Sequence, residues 1–169
     1  MATINLPVRG NARSYGGDRV KMSVPADHGP KLWLISAISS EEVLAALYGE
    51  WSTDGDIFFE FINRCLVPNL SKGKIVLMDN ISFHKAKRVE EAITSTGATL
   101  KFLPAYSPDF SPIENMWSKI KTVLREYAPR ALEAFKEAIK EAFKSIAKKD
   151  LIAWFKHCGY AFKPIRKPL

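Results

Sequence analysis

Apolar and polar positions follow two different periods along the chain, and the change of period predicts a mixed α/β fold. Short apolar runs rich in β-branched residues predict strands, and apolar positions three and four residues apart predict helices. The predicted strands cover residues 20–24, 32–38, 43–48, 74–78 and 98–103. The predicted helices cover residues 54–66, 85–95, 112–124 and 129–146, and a short helix follows Asp150. Residues 43–48 keep a helical alternative, because Ala45 and Ala46 favour helix as much as strand.

The same pattern predicts a single folded domain with extensions at both ends. Residues 1–17 contain three glycines and little periodicity, so we expect an irregular segment in which residues 4–6 form a strand stub. Residues 18–127 are the predicted core, and residues 128–160 are predicted helices packed on it. Residues 161–169 form a basic, proline-rich tail.

Two carboxylates mark the functional region. Asp79 ends the apolar run 75–78, which places it at the tip of a predicted buried strand, where open α/β sheets bind ligands. Glu114 falls in the first turn of a predicted helix that begins with Ser111 as cap and Pro112 as first residue. Carboxylates on a strand tip and at a helix start can hold a divalent metal ion.

Each carboxylate also has a purely structural interpretation. Asp79 together with Asn80 could form a turn after the strand. Ser111 and Glu114 have the spacing of a capping box, in which the glutamate reaches back to the amide of the capping residue.

Composition adds a charge asymmetry. The chain has 169 residues, 47% of them hydrophobic, and a net charge of +7. Residues 121–169 carry 12 basic and 5 acidic side chains, so the whole excess lies in the C-terminal third. A local basic excess favours a polyanionic partner such as DNA. The lysines of the predicted helix 129–146 alternate with glutamates at pairing distance, which weakens their case as a DNA-binding stripe.

Cysteines and hydropathy indicate where the protein works. Cys65 and Cys158 have no metal-binding spacing and are predicted to be reduced thiols of the core. No apolar run has the length of a membrane span, and residues 1–5 lack the features of a signal peptide. We therefore expect a cytoplasmic protein without a membrane partner.

The short sequence motifs around the two carboxylates resemble those of a known family. Met78-Asp79-Asn80 is followed by His84-Lys85, and 34 residues separate Asp79 from Glu114 in Tyr106-Ser107-Pro108-Asp109-Phe110-Ser111-Pro112-Ile113-Glu114. This combination resembles the catalytic core of DDE transposases of the mariner superfamily, in particular the bacterial insertion-sequence branch. Looser similarity extends from residues 13–16 to residues 157–160, which is nearly the whole chain.

The resemblance implies a ribonuclease H-like fold, and the predicted element order agrees with that fold without its opening strand. It implies that Asp79 and Glu114 are the second and third acids that hold Mg²⁺ or Mn²⁺, while transposon-end DNA is cut and joined to target DNA. Asn80 and His84 are then accessory residues. The candidate DNA-binding residues are Lys85, Lys119, Lys121 and Arg125. The partners implied are DNA and a second copy or a full-length transposase, in a bacterial cytoplasm near the nucleoid.

One departure from the family pattern affects the expected activity. The family's first acid precedes the Arg-x-Tyr-Gly word, which is Arg13-Ser14-Tyr15-Gly16 here, yet no acidic residue occurs before Asp18. We therefore expect an N-terminally truncated catalytic domain with impaired metal-dependent cleavage. A non-catalytic remnant that binds DNA or dimerises, and a basic nucleic-acid-binding module without metal chemistry, remain as alternatives.

Overall fold

The computed structural model describes residues 2–5, 31–50, 54–80, 87–129 and 131–161, the first of these segments as backbone only. The predicted strand 20–24, His84, Lys85 and the basic tail beyond residue 161 lie outside the described residues.

An antiparallel sheet forms the first part of the fold. Its strands are β1 (Ala2–Asn5), β2 (Lys31–Ile38) and β3 (Val43–Gly49), in the order β1-β2-β3. Strand β1 overlaps the strand stub expected at residues 4–6 and begins earlier, at Ala2, in a segment otherwise expected to be irregular. It pairs with the first half of β2, Ala2 opposite Leu34 and Asn5 opposite Lys31.

The turn between β2 and β3 settles the open choice for residues 43–48. Ser39 Oγ accepts hydrogen bonds from the backbone N–H groups of Glu41 and Glu42, both at 3.1 Å, which reverses the chain. Pairing with β2 then outweighs the helical preference of two alanines, because six of the seven residues of β3 gain a backbone partner and a place on a half-buried sheet, and only Leu44 is skipped at a register shift.

The predicted helix 54–66 is not a single regular α-helix in the structure. Helix α1 (Gly55–Phe61) begins at Asp54, whose Oδ1 accepts the N–H groups of Asp56 and Ile57 at 2.9 and 3.0 Å. The chain continues as a wider π-helical turn (Ile62–Leu66) and a 3₁₀ turn (Val67–Asn69). The regular helix ends early because Pro68, inside the second turn, has no N–H to donate.

A parallel pair of strands carries the first candidate residue. Strand β4 (Ile75–Met78) pairs with β5 (Thr99–Phe102), and helix α2 (Lys87–Thr94) makes the crossover between them. Gly97 ends that crossover with a φ of +79°, and a Cβ atom there would lie 3.1 Å from the Cβ of Lys72. Only glycine satisfies both the backbone conformation and the close approach.

Three helices complete the described fold: α3 (Pro112–Tyr127), α4 (Leu132–Lys144) and α5 (Lys148–His157). A 3₁₀ turn (Pro108–Phe110) precedes α3. None of the helices in the described segments is long and apolar enough to cross a membrane.

Strand β2 separates the two hydrophobic clusters of the core. Leu32 and Leu34 are fully buried against the apolar faces of α3 and α4, whereas Ile35 is buried with residues of α1, β4 and α2. Successive residues of a strand point to opposite faces, so helices cover β2 on both sides. The first cluster contains Trp117, which is 1% exposed and therefore packs as its position on the helical stripe predicts.

Candidate active site

Asp79 and Asn80 directly follow β4, so the strand fixes where their side chains begin. The end of β4 is held to β5 by its last register pair, Met78 with Phe102, and by the N–H of Leu103, which donates to the carbonyl of Met78 at 2.7 Å. Asp79 is partly buried and Asn80 is exposed. The tip of the strand therefore presents a carboxylate and an amide directly after its last residue pair with β5.

Glu114 occupies the first turn of α3, as predicted, but the capping box is not formed. The N–H of Ser111, which a capping glutamate would accept, donates instead to the carbonyl of Pro108 at 2.9 Å. The Ser111 side chain makes no capping hydrogen bond, and the N–H of Glu114 donates to the backbone carbonyl of Ser111 at 3.1 Å. Because the 3₁₀ turn already satisfies the Ser111 amide, the exposed Glu114 carboxylate is left out of the cap.

One cavity joins the two carboxylates. It has a volume of about 400 Å³ and is lined by Asp79, Asn80 and Glu114, together with Ser111 and the segment 103–108. The segment between β5 and α3 thus forms the wall between the strand tip and the helix start. The structure brings together three of the residues that the sequence singled out: both acids and Asn80.

Residues just after α5 contact the turn and the helix that follow this wall. The hydroxyl of Tyr160 donates to the carbonyl of Phe110 at 2.7 Å, and Asn115 Nδ2 lies 3.9 Å from the sulfur of buried Cys158. Burial raises the pKa of the Tyr160 hydroxyl, so it remains a protonated donor at neutral pH. Sequence reasoning assigned no role to Tyr160, although the word 157–160 was part of the resemblance.

The comparisons with known proteins decide the family. The profile of the family described as DDE superfamily endonuclease matches residues 4–136, well over half of the chain. The chain belongs to this family. The match spans both candidate acids and ends within α4, so the DDE endonuclease signature covers the sheets, the crossover helices and the cavity.

Solved structures of Mos1 transposase share the fold of this DDE family member. The paired-end complex of Mos1 with the left transposon end superposes with a TM-score of 0.78 at 18% identity, covering 93% of this chain and 50% of the Mos1 chain. The catalytic domain of Mos1 mariner transposase gives a TM-score of 0.60 at 16% identity, over 79% of this chain and 76% of that domain. The same domain with Raltegravir and Mg gives 0.62 at 18% identity. No curated protein sequence matches the chain.

These likenesses confirm the expected fold class. The described residues have a mixed α/β, ribonuclease H-like fold that is shared with the Mos1 transposase catalytic domain. The chain spans half the length of the Mos1 transposase chain with which it superposes.

The cavity has the donor chemistry that a DDE endonuclease needs for its metal. Asp79, Glu114 and Asn80 supply carboxylate and amide oxygens, the hard ligands that Mg²⁺ and Mn²⁺ prefer. Within the described segments no three His, Cys, Asp or Glu side chains gather into one metal-binding group. The cavity therefore contains, among the described residues, two carboxylates and one side-chain amide of the kind that binds such a metal ion.

The candidate DNA-binding residues on α3 differ in their availability. Lys121 and Arg125 are exposed and make no ion pair with any described residue. Lys119 instead donates to Asp150 Oδ2 at 2.6 Å and to the carbonyl of Ser145 at 2.8 Å. A side chain held by two partners on other elements is poorly placed for DNA, which argues against the predicted role of Lys119.

The lysines of α4 are neutralised by their neighbours. Lys136, Lys140 and Lys144 each contact the glutamate three residues earlier. The expected pairing was four residues apart, and i,i+3 neighbours lie equally close on a helix surface. The hydrogen bonds that the lysines donate to these glutamates raise the pKa of all three lysines. The basic excess of the C-terminal third is therefore partly cancelled on this helix.

Proposed function

We propose that this chain is the catalytic domain of a DDE transposase that cuts and joins transposon-end DNA by metal-dependent phosphoryl transfer. The observation that carries the proposal is the shared cavity of Asp79 and Glu114, in which the glutamate is not used to cap its own helix. A first-turn glutamate interacts favourably with the helix dipole, and here its exposed carboxylate also faces the cavity that Asp79 lines.

We assign the metal-binding role to Asp79 and Glu114, with Asn80 as an accessory oxygen donor. A pair of Mg²⁺ or Mn²⁺ ions, when bound, would stabilise the attacking and leaving oxygens of an in-line displacement at phosphorus. The protein's own contribution is to fix the two carboxylates on a paired strand and a buried helix. Their positions then need little rearrangement when DNA arrives.

The substrate and partners follow from the family. We infer that the exposed Lys121 and Arg125 bind the DNA backbone, and that Lys85 and His84 contribute from outside the described residues. Mos1 transposase has been solved in a paired-end complex with the left transposon end. We infer that this chain binds the same class of DNA, together with a second copy of itself or a longer transposase. We assign the protein to the bacterial insertion-sequence branch and to the cytoplasm near the nucleoid, with residues 18–127 as the core and 128–160 as its helical support.

Metal titration tests the assignment directly. We expect Mn²⁺ binding, followed by calorimetry or by paramagnetic relaxation of water protons, to weaken at least about tenfold in Glu114→Gln, because a ligand and a charge are lost. Asp79→Asn should weaken it similarly. Glu126→Gln on the same helix is the matched control, since Glu126 is exposed and lies outside the cavity. Equal Mn²⁺ affinity in Glu114→Gln and the wild type would contradict the proposal.

A second candidate is a non-catalytic relative that binds DNA or a transposase without cutting. The composition of the described cavity favours it, because two carboxylates hold one metal ion more readily than the two that phosphoryl transfer employs. Incubation with supercoiled DNA and Mn²⁺ separates the candidates. Nicking that disappears in Glu114→Gln supports the catalytic domain, whereas metal and DNA binding without nicking supports the second candidate.

A further inference from the structure

Tyr106 lines the cavity and combines an unusually exposed side chain with an unusual backbone conformation. Its relative exposure is 103%, the highest of the large hydrophobic side chains in the described residues, where the next values are 59% and 58%. It also has a φ of +56°, a left-handed backbone conformation that it shares with only one other non-glycine residue of the described segments. The ring is therefore unpacked, and its backbone is held in a region that bulky residues rarely adopt.

Turn formation alone does not explain this residue. Glycine or asparagine would adopt the same backbone conformation at lower cost, and either would remove an exposed aromatic surface. A left-handed backbone at a bulky residue is costly, and here it falls at a fully exposed aromatic side chain that lines a cavity with two carboxylates. The cost is explained if the ring has a partner that the folded chain itself does not supply.

The geometry points to Tyr106 as a stacking platform for an unstacked nucleobase beside the phosphate that Asp79 and Glu114 bind. This inference rests on the proposed function, which brings a DNA strand into the cavity. A base attached next to the reacting phosphate must then lie near the cavity rim, where Tyr106 is. An aromatic ring with both faces open binds any base through its π-face, without reading sequence.

The ring, and not the hydroxyl, carries the interaction. No hydrogen bond from the Tyr106 hydroxyl to another described residue is formed, so Tyr106→Phe should retain binding. Tyr106→Gly should lose it while relieving the left-handed backbone, so its melting temperature should stay equal or rise. This pair separates loss of stacking from loss of folding.

Fluorescence of 2-aminopurine in DNA tests the inference. The probe is a single strand of about 12 nucleotides with one 2-aminopurine, and the same sequence as a duplex. With Mn²⁺ present, we expect quenching on binding for the wild type and Tyr106→Phe. Tyr106→Gly should lose the quenching and bind the single strand at least about fivefold more weakly, with a smaller loss for the duplex. Tyr127→Ala is the matched control, because Tyr127 is 58% exposed and does not line the cavity.

The outcomes distinguish this inference from the proposed function. Unchanged quenching and affinity in Tyr106→Gly, with Mn²⁺-dependent DNA binding retained, would overturn the stacking role and leave the proposed function standing. A wild-type protein that binds neither strand would overturn both. An equal loss in Tyr127→Ala would show a general effect of aromatic surface and would also reject the specific role of Tyr106.

Discussion

At the scale of single residues, the start of α3 shows why a sequence motif does not fix the state of a side chain. Ser111 and Glu114 have capping-box spacing, yet the preceding 3₁₀ turn already occupies the Ser111 amide. The sequence located the helix start and the acid correctly, because Pro112 and the apolar stripe are local features. It left the use of the carboxylate open, because that depends on the turn before the helix.

This difference gives a residue-scale prediction that compares two helix caps. Asp54 accepts two backbone N–H groups at the start of α1, whereas Ser111 accepts none. We expect Asp54→Ala to lower the free energy of unfolding by about 1 kcal/mol and Ser111→Ala to change it by less than about 0.5 kcal/mol. Urea unfolding of both variants measures the difference. Losses of equal size would mean that Ser111 does cap α3.

At the scale of elements, the sequence predicted nearly every described strand and helix, because hydrophobic periodicity is a local property. What it missed joins elements that are distant along the chain. Lys119 of α3 pairs with Asp150 of α5, and Tyr160 supports the turn before α3. Lys119 was proposed as a DNA-binding residue from its position on the Glu114 helix, and a sequence contains no information on which acid will fold against it. The sequence did not predict the π-helical turn either, because that turn depends on the local backbone geometry before Pro68.

The pairing of α3 with α5 gives an element-scale prediction for pH. The hydrogen bond from Lys119, and then that from the Ala147 amide, hold the pKa of Asp150 below its usual value. A carboxyl whose pKa is lower in the folded state stabilises the fold above its unfolded pKa of about 4, and loses that effect as the pH falls through the folded value. The stabilisation is therefore present at neutral pH and disappears in acid.

Asp150→Asn isolates this contribution, because asparagine keeps an acceptor for the Ala147 amide. We expect a loss of about 1 kcal/mol at pH 7 that shrinks as the pH is lowered below about 4, measured by urea unfolding across that range. Glu141→Gln is the control, since its partner Lys144 is 71% exposed and the pair is screened by water. A loss that stays constant down to pH 2 would exclude the charge pair as its source.

At the scale of the whole molecule, the distribution of charge gives a prediction about DNA binding. Lysines of α4 are paired with glutamates, so the exposed Lys121 and Arg125 should dominate the phosphate contacts that α3 and α4 can make. Each neutralised phosphate adds about 0.9 to the slope of log affinity against log salt. We expect Lys121→Ala with Arg125→Ala to lower that slope by about 1.8, and Lys140→Ala to leave it nearly unchanged. Anisotropy titrations of random duplex DNA between about 50 and 200 mM salt make the comparison.

The two sheets differ in how well their strands are secured, and hydrogen exchange should show it. Strand β2 is bonded to β1 on one edge and to β3 on the other, and helices cover both its faces. Strand β4 is bonded to β5 over four residues, and no partner on its other edge occurs among the described residues. Ile75, its first residue, is 59% exposed. The hydrogen bonds of a strand that is paired on one edge and only partly buried break in local fluctuations, which cost less free energy than unfolding the core.

We therefore expect the amides of β2 between residues 32 and 37 to be protected at least about tenfold more strongly than those of β4, which corresponds to about 1.4 kcal/mol. An unpaired strand edge also favours association of chains, so the protection of β4 should rise with protein concentration while that of β2 stays constant. Exchange measured by NMR at two concentrations, beside light scattering of the same samples, tests both parts. Protection of β4 that equals that of β2 in a concentration-independent monomer would mean that residues outside the described segments complete the sheet beside Asp79. The site would then rest on a continuous sheet and not on two separate ones.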